Sequence, residues 1–162
     1  TEAGGRSVSV ARRLAVMRNA EFLKPLTDDA LKFLAFNAEP LALRQRETLF
    51  EVGDDADGAV LLLAGQLRLI PDNPLLAPST AGVGQLIDDL ALIIPRRRQA
   101  TAIAQSTCEL LLIPRGEMLK VLEEYPEAAK KLATIIAGRV SAIGEEAGAL
   151  SSKLNRSTRD AV

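Results

Sequence analysis

The sequence predicts an α+β fold in which a run of β-strands lies between helices at the two ends. Before Asn37 and after Pro114 the apolar residues recur at helical intervals, whereas between these points they alternate or form short continuous runs. Strands grouped in one stretch with helices at both ends favour a sandwich or small barrel closed by those helices. With 162 residues the chain is long enough to bury such a core without a disulfide or a metal.

Two helices are expected near the start of the chain. The first covers Val8 to Phe22, where apolar residues have helical spacing. The second covers residues 28–36, because Thr27 can cap its first turn. Asp28 and Asp29 then lie where the helix dipole favours anions.

The middle of the chain is expected to form strands connected by turns. The predicted segments are Leu41 to Phe50 with a polar interruption, Ala59 to Ala64, Gln66 to Ile70, Ala100 to Gln105, and Glu109 to Ile113. The two segments that flank Gly65 are expected to pair with each other, and so are the two joined by Ser106 and Thr107. The proline-rich stretch from Pro71 to Pro78 is expected to be a loop.

After Pro114 the pattern predicts helices again, one over Glu117 to Glu124 and one that begins at Pro126. The last helix carries apolar residues at alternating spacings of four and three, which is typical of a dimerising seam. The seam residues are Ala129, Ala133, Ile136, Val140, Ile143, Ala147 and Leu150. Two interpretations stay open: the helix forms a homodimer through this seam, or it only packs on its own barrel.

Composition excludes several classes of function. The net charge of −1 provides no long-range attraction for nucleic acid or for an acidic membrane. The chain has no histidine and one cysteine, which removes the usual metal ligands and most nucleophile systems, so no metal and no catalytic residue is expected. No apolar stretch approaches the length of a membrane span, and a cytoplasmic protein is expected. Cys108 is expected to be a core residue.

Three stretches carry a resemblance to a known family. They are Phe22 to Leu34, the glycine-punctuated segment from Gly53 to Gly65, and the segment from Gly84 to Thr101 that contains Asp-Asp-Leu-Ala-Leu-Ile and Pro-Arg-Arg-Arg-Gln-Ala-Thr. Together they resemble the cyclic-nucleotide-binding domain family. That family has an antiparallel β-roll of the jelly-roll or cupin-like type, flanked by helices, and the third stretch resembles its phosphate-binding cassette.

The resemblance implies roles for individual residues. Arg98 aligns with the arginine that grips the phosphate, Asp89 with the glutamate that accepts the ribose hydroxyl, and Ala91 with a backbone phosphate donor. Free amides of a short helix and a bidentate arginine are a physically suitable anion site. The implied ligand-binding residues with their neighbours are Asp88, Asp89, Leu90, Ala91, Arg97, Arg98, Gln99 and Ala100, and those over the base are Leu132 and Ile136. Arg97 is included because a slip of one residue would put it in the pocket.

Two residues depart from the family pattern. Asp88 stands where the family has glycine, which adds a Cβ at a tight backbone position and a negative charge near the phosphate. Asp89 is one methylene shorter than glutamate. Both changes oppose nucleotide binding. Alternatively, Asp88 and Asp89 cap a helix, and the three arginines from Arg96 to Arg98 are a solvated charge run.

The resemblance divides the chain into a tail and helix (1–21), a β-roll with its flanking helices (22–125), a lid or dimerisation helix (126–150) and a tail (151–162). The first hypothesis is a regulatory, non-enzymatic module that binds a cyclic nucleotide, cAMP more readily than cGMP because Gln99 is not a hydroxyl residue. The alternative is a degenerate domain that binds no nucleotide and serves dimerisation or protein docking. A cupin-like enzyme is disfavoured because metal ligands are scarce.

Overall fold

The computed structural model of the protein describes residues 9–139, which form four α-helices and ten strands. The helices are α1 (Val10–Asn19), α2 (Asp28–Asn37), α3 (Arg115–Glu124) and α4 (126–139). The strands are β1 (Glu39–Leu43), β2 (Thr48–Phe50), β3 (Asp55–Ala56), β4 (Gly58–Ala64), β5 (Leu67–Pro71), β6 (Ser79–Ala81), β7 (Leu86–Ile87), β8 (Arg96–Arg97), β9 (Ala100–Ala104) and β10 (Cys108–Pro114). No helix in this range is long and apolar enough to cross a membrane.

The strands form two four-stranded sheets and one short ladder, all antiparallel. One sheet has the order β1-β10-β4-β7 and the other β2-β9-β5-β6, while β3 pairs with β8. Helices stand before and after this roll along the chain. The predicted α+β fold with an antiparallel β-roll between helices is therefore confirmed.

The predicted strand pairs are wrong, although the strands themselves are present. β4 pairs with β10 and β7, whereas β5 pairs with β9 and β6, so the two strands that flank Gly65 lie in different sheets. The same holds for β9 and β10. Gly65 has φ +91°, and a Cβ there would meet the carbonyl of Thr107. It is thus a corner at which the chain crosses between sheets, and not a hairpin turn.

Strand β4 explains how the roll is joined to the helices. Its side chains alternate between two apolar cores: Ala59, Leu61 and Leu63 contribute to the core under the helices, and Val60 and Leu62 to the core inside the roll. A strand that is buried on both faces needs a continuous run of aliphatic residues, and β4 has such a run from Ala59 to Ala64. The helices and the roll are therefore packed against opposite faces of one strand.

The helix predictions are confirmed, with shifted ends. The Thr27 hydroxyl accepts a hydrogen bond from the amide of Ala30 at 3.2 Å, as expected of an N-cap. Helix α1 ends at Asn19, and Glu21–Leu23 forms a separate 3-10 turn. In α4, Leu132 is buried in the helical core while Ala133 of the predicted seam is exposed. The seam from Val140 onward lies outside the described residues, so the homodimer stays a prediction.

Gly58 provides a test of the packing between β4 and β10. A Cβ at this position would overlap the carbonyl of Ile113 and lie 2.9 Å from the Cα of Pro114. Because these are backbone atoms, Gly58→Ala is expected to lower the free energy of unfolding by about 1–3 kcal/mol in urea denaturation. Gly82→Ala is the control, since no atom lies within 4 Å of its Cβ. Equal stability of the two variants would contradict the close approach of the strands.

Candidate functional site

The candidate site is built on the segment between β7 and β9. Asp88 directly follows β7 and has φ +60° and ψ +48°, a left-handed conformation that costs most residues about 1–2 kcal/mol and glycine almost nothing. The 3-10 turn Asp89–Leu92 follows. The amide of Ala91 donates to the Asp88 carbonyl at 2.9 Å, so it is engaged within the turn, whereas the family resemblance implies that it donates to a phosphate.

Two arginines converge on the Asp88 carboxylate. Arg98 Nη1 donates to Oδ2 of Asp88 at 3.2 Å, and Arg96 Nε lies 3.0 Å from Oδ1. The side chains of Asp88 and Arg98 are 9% and 7% exposed, so this ion pair is largely removed from water. The backbone of Arg98 is fixed as well, because it exchanges hydrogen bonds of 2.8 and 2.9 Å with Asp54 and Gly53.

The surroundings of Arg98 explain why it needs an anion. Its guanidinium lies 4.4 Å from the centroid of the Phe50 ring, and its Nε has no hydrogen-bond partner among the described residues. Burial lowers the pKa of Arg98 from its ordinary value. The negative charge of Asp88, and to a smaller extent those of Asp57 and Asp54, raises this pKa but does not outweigh the effect of burial. A buried cation is costly unless it is paired. Asp88 supplies the pairing from within the chain.

A small cleft of about 170 Å³ adjoins this ion pair. Its lining consists of Phe50, Leu69, Ile87, Asp88, Arg96, Gln99 and Ala100. Clefts that hold drug-sized ligands have volumes of about 300–1,000 Å³. In this conformation the cleft is therefore small for a nucleotide, and a carboxylate forms part of its wall.

Asp89 lies in a different cleft from the one beside Asp88. Its Oδ1 accepts a hydrogen bond of 2.7 Å from Nη1 of Arg139 in α4, and the Arg139 guanidinium lies 5.2 Å from the centroid of the Phe22 ring. The hydrogen bond to Asp89 raises the pKa of Arg139, although burial opposes this. Both side chains line a separate cleft of about 210 Å³ together with Glu21. The expectation that Asp89 and Arg98 face one ligand is not met here, because Asp89 holds the last described turn of α4.

Arg97 also lies apart from Asp88. In the β3–β8 ladder it is opposite Asp55, and its side chain is exposed. It lines an outer cleft of about 430 Å³ that includes Asp57 and Arg115. Arg96, which lines this outer cleft as well, and Arg98 both reach Asp88, whereas Arg97 is exposed and does not. The one-residue slip that would place Arg97 in the pocket is thus not seen.

The remaining predicted site residues are divided between the cleft and the core. Gln99 and Ala100 line the 170 Å³ cleft, and the Gln99 amide donates to the Arg97 carbonyl at 2.9 Å. Leu90 packs against the core under the helices, together with Ile136, and Leu132 is buried in that core. Neither predicted lid residue lines the cleft beside Asp88. Both residues belong to α4, whose Ala128 and Leu132 are buried in the core that the other helices share with β4 and β10.

Three residues were not singled out from the sequence: Arg96 and Phe50 beside Asp88, and Arg139 beside Asp89. The alternation of a strand over Arg96 to Arg98 would have pointed to Arg96 as well as Arg98, but a strand of two residues gives no detectable pattern. Arg139 is separated from Asp89 by fifty residues along the chain, and nothing local indicates that pairing. Within residues 9–139, no cluster of three or more His, Cys, Asp or Glu side chains could hold a metal ion.

Comparison with known proteins relates the chain to a family of domains. Residues 40–125, more than half of the chain, match the family model described as the cyclic nucleotide-binding domain. The lysophospholipase nte1 of Neurospora crassa is 26% identical over 145 residues, which cover 88% of this chain and 10% of that protein. The corresponding protein of Pyricularia oryzae is 26% identical over 156 residues, covering 90% and 10%. The chain thus spans about a tenth of the length of these curated relatives.

Solved structures show the same fold. The N-terminal domain of a transcriptional regulator from Streptomyces coelicolor A3(2) has a TM-score of 0.70 and 26% identity, covering 80% of this chain and 93% of that one. The catabolite activator protein of Thermus thermophilus has a TM-score of 0.63 at 24% identity, covering 80% and 62%. The regulatory domain of Toxoplasma gondii PKA, solved with cAMP, has a TM-score of 0.64 at 18% identity, covering 69% and 44%. The last two likenesses concern the fold alone.

The ion pair at Asp88 can be tested by its effect on stability. Asp88→Asn keeps the size of the side chain and removes its charge, which leaves Arg98 buried without its closest anion. We expect the free energy of unfolding to fall by about 3 kcal/mol or more in urea denaturation. Glu127→Gln is the control, because it breaks the exposed pair with Lys130 (3.6 Å) and is expected to cost less than about 1 kcal/mol. Similar losses for both variants would show that the buried pair has no special role.

Proposed function

The chain belongs to the cyclic nucleotide-binding domain family, and from this premise we propose that it is a regulatory domain that works without a bound nucleotide, because its own Asp88 takes the place of the ligand's phosphate. The observation that carries the proposal is the ion pair of 3.2 Å between Asp88 and Arg98. Arg98 is the residue that the family resemblance assigns to the phosphate. In this chain its charge is already balanced.

The cost of displacing Asp88 supports the proposal. A phosphate that reached Arg98 would have to move a carboxylate that also contacts Arg96 and is itself largely buried. Separating a buried ion pair costs about 3–5 kcal/mol when one partner is left without compensation. The nucleotide would have to offset this cost before it gained affinity. The cleft of about 170 Å³ would also have to widen.

The C-terminal helix supports the same view. Asp89, which the resemblance assigns to the ribose, is hydrogen-bonded to Arg139 of α4 at 2.7 Å. Helix α4 is also anchored by Leu132 and Ala128 in the core. The contacts that hold α4 in this position therefore come from the protein itself. We infer that any signal through this helix starts from a partner or from another part of a longer protein, and not from a nucleotide.

The relatives suggest a context for such a domain. Domains of this family regulate other proteins and are generally not enzymes themselves, and the chain matches the lysophospholipases over only a tenth of their length. We infer that the chain is a docking or regulatory unit rather than the catalytic part of such an enzyme.

A second candidate function is cAMP sensing, and one observation favours it. The Nε of Arg98 is a buried donor with no hydrogen-bond partner among the described residues, and a phosphate oxygen could accept from it. Under this candidate, cAMP would displace Asp88, and Gln99 and Ala100 would contact the ligand from the wall of the cleft. cAMP would be preferred to cGMP because Gln99 is not a hydroxyl residue.

Titration calorimetry distinguishes the two candidates. We expect no binding of cAMP or cGMP to the natural chain at micromolar concentrations. Asp88→Gly should improve affinity by about tenfold or more, because it removes the carboxylate that competes with the phosphate for Arg98. Asp88→Gly combined with Arg98→Gln is the control and should lose this gain. Micromolar cAMP binding by the natural chain that Arg98→Gln abolishes would establish the second candidate instead.

Amide hydrogen exchange can measure how strongly the Asp89–Arg139 hydrogen bond stabilises α4. Asp89→Asn is expected to speed exchange of the amides in residues 126–139 by about fivefold, which corresponds to about 1 kcal/mol for a half-buried, hydrogen-bonded pair. Lys130→Gln is the control within the same helix, because it removes only the exposed contact to Glu127. Unchanged exchange in Asp89→Asn would show that the Arg139 contact does not fix the helix.

A further inference from the structure

An exposed aromatic pair on α2 is not explained by the β-roll or by the site at Asp88. The chain has four phenylalanines, and two of them, Phe33 and Phe36, lie on this helix with 38% and 78% of their surface exposed. Residues three apart on a helix lie on the same side, so the two rings form one surface. By contrast, Phe22 is buried and Phe50 contacts Arg98. Exposed aromatic side chains that are grouped in this way are typical of interaction sites.

Helix α3 forms the other side of this surface. The two helices contact each other, and a groove of about 450 Å³ lies between Phe33 and the side chains of Lys120, Glu123 and Glu124. Leu119, at 46% exposure, lies four residues before Glu123 and therefore on the same side of α3 as that carboxylate. We name the surface formed by these six residues, Phe33, Phe36, Leu119, Lys120, Glu123 and Glu124, the α2–α3 face.

The charge of the α2–α3 face is negative. Lys120 is already paired with Glu117 at 3.4 Å, whereas Glu123 and Glu124 are exposed and form no ion pair within residues 9–139. On α2 the exposed Lys32 and Asp29 carry opposite charges. The groove is thus lined by the Phe33 ring, by Lys120 and by the two carboxylates of Glu123 and Glu124, which form no ion pair within residues 9–139. A ligand that suits it combines an apolar stripe with positive charge.

We propose that the α2–α3 face binds a basic amphipathic helix of a partner protein. Such a helix would place apolar residues spaced three and four apart against the rings of Phe33 and Phe36, while its Lys or Arg residues would meet Glu123 and Glu124. Aromatic side chains at the centre of a groove contribute much of the binding energy, and charges at the rim select the partner. An anionic membrane or a nucleic acid would be repelled by the same carboxylates. A second copy of this chain would bring two acidic borders together, which disfavours self-association.

The experiment uses the full chain and a fluorescent synthetic helix of about 18 residues composed of Leu and Lys in an amphipathic pattern. Fluorescence anisotropy is expected to show binding, whereas the same pattern with Glu in place of Lys should not bind. Phe36→Ser should weaken binding by about tenfold or more. Leu75→Ser is the control, because Leu75 is 89% exposed on the loop between β5 and β6 and should have no effect.

A charge reversal separates specific binding from general adhesion of an amphipathic peptide. The double variant Glu123→Lys, Glu124→Lys should no longer bind the Leu-Lys peptide and should bind the Leu-Glu peptide instead. The proposal is overturned if this preference does not reverse, if Leu75→Ser weakens binding as much as Phe36→Ser, or if ultracentrifugation shows a dimer that Phe36→Ser dissociates. Since all of these side chains are exposed, circular dichroism should be unchanged in every variant. None of these outcomes depends on the nucleotide proposal.

Discussion

The need to balance one buried guanidinium shapes the site of this protein. Arg98 is almost completely removed from water between the Phe50 ring and the turn after β7, and such a position is stable only if an anion lies beside it. The family resemblance assigns a phosphate to this position. Here the anion is Asp88, which adopts a left-handed backbone conformation to reach Arg96 and Arg98. The left-handed backbone of Asp88 thus accompanies the ion pair that balances the charge of Arg98.

Much of the fold follows from local sequence signals. The helix cap at Thr27, the aliphatic run of β4 and the helices after Pro114 all depend on neighbouring residues, and each was predicted correctly. The pairing of the strands was not, because adjacency along the chain favours a hairpin, whereas Gly65 carries the chain from one sheet to the other. The strands of two or three residues, such as β7 and β8, are too short to produce a periodic pattern.

The site was predictable to a similar extent. The family pattern drew attention to Arg98 and Asp88, which the structure joins in an ion pair, since both lie in one contiguous segment. It did not reveal that Asp89 contacts Arg139, because that contact depends on how α4 packs, and packing is decided by long-range burial of residues such as Leu132. Arg96 was missed because its importance depends on which side of a very short strand it occupies.

Asp88 and Asp89 are joined by one peptide bond, yet they hold different parts of the molecule: one carboxylate lies against the roll and the other against the terminal helix. A displacement of that bond would alter both ion pairs together. The peptide bond between them is therefore a short covalent link from the Asp88–Arg98 ion pair inside the roll to the Asp89–Arg139 contact that holds α4.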